Sequence, residues 1–191
     1  MRYLLGSVLL LVPALALAHP GHGHGGFGAG FAHPLLGLDH VLAMAGIGFW
    51  AARQYNLRAV LGVIAAFLGA VLLGFAVGTA QGPQVLVEFG IIGSLLVTGA
   101  LIFGARRLPM AAAATIAGVF ALFHGHAHGA EMAAGLSAAL FASGFTLASA
   151  LLLAVGAGVA VVAERLRQVR PVERLGGGVL MASGIYLLIV V

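Results

Sequence analysis

The sequence contains no cysteine and no lysine, and only 7% of its 191 residues are charged. Without cysteine there is neither a disulfide nor a thiolate site, which removes the usual ligands of soft metals. Five methionines are too few for a methionine-rich copper path. No stretch of the form GxxxxGK[ST] occurs, so the chain carries no P-loop ATPase of its own. The formal charge of +4 comes entirely from arginine, set in short clusters between apolar stretches. Such clusters orient a chain in a bilayer and do not suggest a nucleic-acid partner.

What remains is mostly hydrocarbon. With 62% hydrophobic residues the chain cannot hide its apolar surface as a soluble domain. Apolar stretches of about 20 residues recur, the length that crosses a bilayer core of about 30 Å as a helix. The fold class expected is all-α, a polytopic membrane helical bundle. At the start, Arg2, the apolar run Leu4 to Leu17 and the small-residue end Ala16-Leu17-Ala18 have the parts of a secretory signal peptide, residues 1–18, with cleavage before His19. An uncleaved first helix is the alternative. Residues 19–32, rich in glycine and carrying His19, His22 and His24, are expected to be a flexible exterior segment, and residues 33–191 the transmembrane domain.

Six spans are expected, near Pro34 to Ala52, Ala59 to Thr79, Val85 to Phe103, Leu108 to His124, Leu140 to Ala163 and Leu175 to Val190. From an exterior start, alternate loops are cytoplasmic. Those loops hold Arg53 and Arg58, then Arg106 and Arg107, then Arg165, Arg167, Arg170 and Arg174, and the exterior loops hold no arginine. Signal peptide and arginine bias thus predict the same topology, with both mature termini outside. Glycines within spans, as in Gly74-Phe75-Ala76-Val77-Gly78, suit close helix packing.

Against this background two polar blocks stand out: His33-Pro34-Leu35-Leu36-Gly37-Leu38-Asp39-His40 and Phe123-His124-Gly125-His126-Ala127-His128-Gly129-Ala130-Glu131. An ionisable group at a helix centre costs about 2.5 to 3.5 kcal/mol on insertion scales, so groups retained there are functional candidates. If Pro34 opens the first span, Asp39 and His40 lie about 8 to 9 Å below its outer end, and His33 and His40 share a face where the helix extends back. His124 lies about 24 Å up the fourth span, at similar depth. His124, His128 and Glu131 share a face while the helix persists, His126 points elsewhere, and Gly125 and Gly129 are positions where that helix could end early.

Imidazole with carboxylate suits borderline divalent ions such as nickel, cobalt or zinc; magnesium and calcium prefer oxygen shells. The candidate ligands are His33, Asp39, His40, His124, His128 and Glu131, with Asp39 alternatively orienting a histidine ring. Weaker candidates are His19, His22, His24, His126 and Glu88. The terminal histidines could collect ions at the exterior mouth or be a solvated tail, and Glu88 could attract cations or be an interfacial residue. Met44 reads as core. Ser143, Thr146 and Ser149 could line a lower path, although back-bonding to the helix is the more ordinary role.

The two blocks resemble the motifs of the HupE/UreJ nickel permease family, of the forms HPxxGxDH and FHGxAHGxE, and the resemblance covers essentially the whole mature chain. It implies a secondary permease in bacteria that make hydrogenase or urease, some members being associated with cobalt. It also implies importance for His33, Asp39, His40, His124, His128 and Glu131; His19 to His24 lie outside it. The expected function is uptake of Ni²⁺ from the periplasm across the inner membrane, with the ion as cargo and no permanently bound cofactor. Cobalt transport is the alternative. A rival of another class is an intramembrane hydrolase with a zinc-bound water activated by Asp39 or Glu131.

Overall fold

The computed structural model describes residues 26–54 and 56–191; the signal-like start and His19, His22 and His24 lie outside the described residues. Within them there are seven helices and no strand: α1 (Gly26–Leu36), α2 (Leu38–Ala52), α3 (Leu57–Gln81), α4 (Val85–Phe103), α5 (Met110–Ala130), α6 (Ala138–Arg165) and α7 (Val169–Val190). Each of α3 to α7 is long and apolar enough to cross a membrane, and α1 with α2, bent by 83° at Gly37, is long and apolar enough to make a sixth crossing if the pair is one broken span. Leu61, Leu73, Val155, Val162, Leu175 and Ile189 stand exposed on the outside of the bundle. Apolar surface of that extent needs lipid to cover it. The protein is a multi-pass, all-helical membrane protein.

The first span differs from the expected one. Pro34 does not open a helix; it sits inside α1, and the chain breaks three residues later at Gly37, which is extended (φ −92°, ψ 115°). Residues 26–32, expected to be flexible, form most of α1. The cause is tertiary. A Cβ on Gly30 would run into the backbone of Phe141, and one on Gly144 into the backbone of Phe27, so α1 lies directly on α6. That contact outweighs the low helix propensity of glycine, about 1 kcal/mol per residue against alanine. Further along α6, Gly156 and Gly48 bring α2 equally close, through the backbones of Ala45 and Leu153. One long helix therefore carries both halves of the broken span.

The same device joins α3 to α5. Gly74 and Gly78 meet the backbones of Leu122 and His126, while Gly125 and Gly129 meet those of Val71 and Phe75. Two glycine pairs of four-residue spacing thus interlock, the small-residue contact that stands in for a hydrophobic driving force inside lipid. For this reason α5 does not end at Gly125 or Gly129 but runs to Ala130. Asn56 caps α3, its side chain accepting from the Ala59 amide at 2.9 Å, and α3 closes at Gly82 with φ 70°, a left-handed position that suits glycine. Residues 131–137 are a turn and not a short helix, and the Ser137 side chain accepts from the Leu140 amide at 3.4 Å as α6 begins.

At the end of the bundle where α2, α4 and α6 finish, the arginines gather as the loop pattern predicts. They also do more than orient the chain. Arg53 Nε approaches Glu173 Oε1 at 3.4 Å and Arg53 Nη1 approaches Glu164 Oε2 at 3.5 Å, while Arg170 Nη1 holds Glu173 Oε2 at 3.0 Å. Glu173 is only 3% exposed. Trp50 Nε1 donates to the Arg106 carbonyl at 2.9 Å, and the Leu108 amide donates to Gln54 Oε1 at 3.3 Å. The end of α2 is thereby tied to α6, α7 and the α4–α5 turn.

Candidate metal centre

The two polar blocks meet at the opposite end, where α2 begins and α5 finishes. The break at Gly37 is what allows it. A Cβ there would lie 2.8 Å from both Asp39 Oδ1 and His40 Nδ1, so glycine leaves room for these side chains to fold back over the first turn of α2. On α5 the interlock with α3 occupies Gly125 and Gly129, one residue beyond His124 and His128. The two histidines therefore stand beside the glycine strip and turn toward α2.

His128 sits centrally. Its ring centroid lies 4.6 Å from that of His40 and 5.0 Å from that of His33, and His40 is 5.1 Å from His124. Phe145 stacks on His128 at 5.2 Å and Phe141 lies 5.7 Å from His33, with Phe75 packed against both phenylalanines. Exposure falls steadily along the cluster: the Glu131 side chain is 49% exposed and that of His33 29%, whereas His124 and His128 are fully buried. The sequence-predicted residues His33, Asp39, His40, His124, His128 and Glu131 are thus brought together, from the first span and the α5 end.

The carboxylates are engaged by histidines. His33 Nε2 lies 2.9 Å from Glu131 Oε2, and His40 Nδ1 lies 3.0 Å from Asp39 Oδ1. The His33 contact holds the Glu131 carboxyl below its ordinary value of 4.5, against the opposing effect of partial burial. Facing these pairs are nitrogens with no partner at all: His40 Nε2, His124 Nδ1, and both ring nitrogens of His128 are buried and unbonded. Each such orphan costs about 1 to 3 kcal/mol of desolvation, and buried polar groups in folded proteins are otherwise nearly always satisfied. As the side chains stand, no three histidine or carboxylate groups among the described residues converge into a finished coordination sphere. The arrangement is a chain of imidazoles in edge and tilted contact, running inward from the exposed Glu131 to the buried His124.

Other candidates fall outside it. His126 points away, into a cleft lined by Gln81, Gln84, Val87 and Phe123. Glu88 is exposed on the first turn of α4, and Met44 is fully buried in the apolar core. Ser143 and Ser149 donate to the carbonyls of Leu140 and Phe145, the ordinary back-bonding role, while Thr146 Oγ1 is without a partner.

Ser94 and Thr98 on α4 lie outside both polar blocks and join the site only through the fold. Ser94 Oγ lies 2.9 Å from His124 Nε2, and Thr98, one turn further in, is fully buried with an unbonded hydroxyl. Two hydroxyls four residues apart, in a span otherwise apolar beyond Glu88, are the available signal. Such spacing puts both on one helix face.

Comparison with known proteins agrees with the motifs. The family described as HupE / UreJ protein matches residues 7–187. Protein HupE of Rhizobium leguminosarum bv. viciae is 35% identical over 181 residues, covering 94% of this chain and 93% of that protein. No solved structure matches the chain. The chain belongs to the HupE/UreJ family.

Proposed function

We propose that this HupE/UreJ family protein is a secondary permease that takes up Ni²⁺ from the periplasm across the bacterial inner membrane, supplying hydrogenase or urease maturation. Membership of the family supports a nickel or cobalt transport role. The observation that carries the site assignment is the mutual contact of the His33, His40, His124 and His128 rings, with buried, unbonded nitrogens on the last three. On each neutral ring one nitrogen carries a lone pair that no protein donor engages, and that lone pair is available to a cation. Nitrogen donors rank nickel above cobalt, and both above manganese, by the general order of divalent affinities.

In this reading Glu131 and His33 receive the hydrated ion at the exposed end, and His128, His40 and His124 exchange its water for imidazole as it moves inward. Mixed, unconverged ligands favour passage over storage, because a conducting site must release what it binds. Hydrolysis by a bound zinc is less well supported. Asp39 and Glu131, the candidate bases, are each already paired with a histidine. Cobalt is the second cargo that the same donor types accept, one step below nickel in affinity.

Radioactive nickel uptake into liposomes holding only this protein tests the proposal. Saturable uptake, reduced by competing cobalt, is expected. Absence of flux together with tight stoichiometric zinc in the purified protein would overturn the permease proposal.

A further inference from the structure

We infer that Ser94 is a positioning residue for the metal path, selecting the tautomer in which His124 presents a bare nitrogen to the cluster. The inference rests on the permease reading for its purpose, but its geometry stands independently.

A serine hydroxyl has a single proton. Ser94 Oγ lies 2.6 Å from the Ile91 carbonyl oxygen, one turn back along α4. An oxygen pair that close needs a proton between its members, and the carbonyl has none, so the serine proton is committed to Ile91. Ser94 Oγ can then only accept at its second contact, 2.9 Å from His124 Nε2. The proton of neutral His124 must therefore sit on Nε2. Its other nitrogen, Nδ1, is left as a lone pair, buried and unbonded, with the ring 5.1 Å from that of His40.

The same logic governs its neighbours with different partners. His40 is held through Nδ1 by Asp39, leaving Nε2 bare, and His33 is held through Nε2 by Glu131. Three of the four clustered histidines thus have one nitrogen fixed by an acceptor, the arrangement that orients metal-ligating imidazoles generally. Two of those acceptors are carboxylates within the recognised motifs. The third is a neutral hydroxyl on a different helix, in a fully buried place where a third carboxylate would add a charge beside the path. Ser94 thereby couples α4 to a site otherwise built from α1, α2 and α5. Without it the Nδ1–H tautomer becomes accessible, and that tautomer points a proton where the ion must bind.

The test uses full-length protein in lipid, with nitrogen-labelled histidine and no metal, His124 being assigned by difference from a His124→Asn sample. Wild type is expected to show His124 protonated at Nε2, and Ser94→Ala to show a mixture or the Nδ1–H form. Ser94→Thr, which keeps the hydroxyl and its bond to Ile91, should restore the wild-type signal. In liposomes Ser94→Ala should raise the nickel concentration for half-maximal uptake by about 10- to 100-fold with a smaller change in maximal rate, as for other partners of ligating histidines. An Nδ1–H His124 in the wild-type protein would overturn the inference, and needs no variant to fold. So would Ser94→Ala with unchanged tautomer and unchanged half-saturation. If wild-type liposomes carry no nickel while the spectra behave as stated, the permease reading fails and the positioning role survives.

Discussion

The two ends of the bundle are both polar, and they treat their polar atoms in opposite ways. At the arginine end, Glu173 is buried but held by Arg53 and Arg170, Trp50 donates to a carbonyl, and Gln54 bonds to Trp50 and Leu108. At the histidine end, four ring nitrogens on His40, His124 and His128 are buried without a protein hydrogen-bond partner. Completed bonding is what a structural latch requires. Bonding left incomplete, at comparable burial, is what a site for a passing ion requires. The difference separates a group that holds helices together from a group that waits for cargo.

Substitutions should break this comparison in opposite directions. The largest effect is expected at the histidine end: His40→Ala or His124→Ala should reduce nickel uptake to that of empty liposomes while membrane abundance and thermal unfolding stay near wild type. Normal uptake at limiting nickel by either variant would remove that residue from the site. Glu173→Gln should do the reverse. Breaking a buried ion pair costs about 3 to 5 kcal/mol, so thermal unfolding in detergent should shift markedly, whereas the half-saturating nickel concentration of the folded fraction should not move.

A smaller and graded effect is expected from pH. Protonation competes with metal for imidazole, so uptake should weaken as the medium is acidified. The His33 contact keeps Glu131 ionised below its ordinary 4.5, so between pH 5 and 8 its charge is constant and the decline belongs to the histidines. A profile that stays flat over that window, at fixed membrane potential, would count against imidazole as the group that receives the ion at the exposed end. The smallest effects should come from positions outside both networks' centres. Glu164, at 70% side-chain exposure, should lose only about 0 to 1 kcal/mol as Glu164→Gln, and His126→Ala should change nickel half-saturation less than twofold. A tenfold change at His126 would extend the site onto the far face of α5.

Much of this was legible beforehand. Apolar length located the later spans, because crossing a bilayer fixes a minimum run of residues whatever the neighbours are. Arginine placement gave the end at which Arg53, Arg106 and Arg170 meet, and the two motifs identified the six residues that cluster. What escaped depends on contacts between distant segments. Residues 26–32 look like a flexible glycine tail until Phe141 and Gly144 of α6 are placed against them. Gly125 and Gly129 look like helix ends until Val71 and Phe75 are seen to require them. Glu173 reads as one more polar residue in a loop, since nothing local says that Arg53 reaches it across the bundle. Ser94 is an unremarked hydroxyl until His124 lies beside it.

The interleaving on α5 has a consequence for how such a sequence can change. The donors His124 and His128 and the contacts Gly125 and Gly129 are written on the same turns, one residue out of step. Inserting or deleting a single residue among them would rotate everything beyond it by about 100°, erasing the packing and the chemistry together. The helix is read twice in one frame, like a text whose alternate letters spell a second message. Variation can therefore arrive by substitution at the remaining positions, such as His126, but not by a shift of the frame.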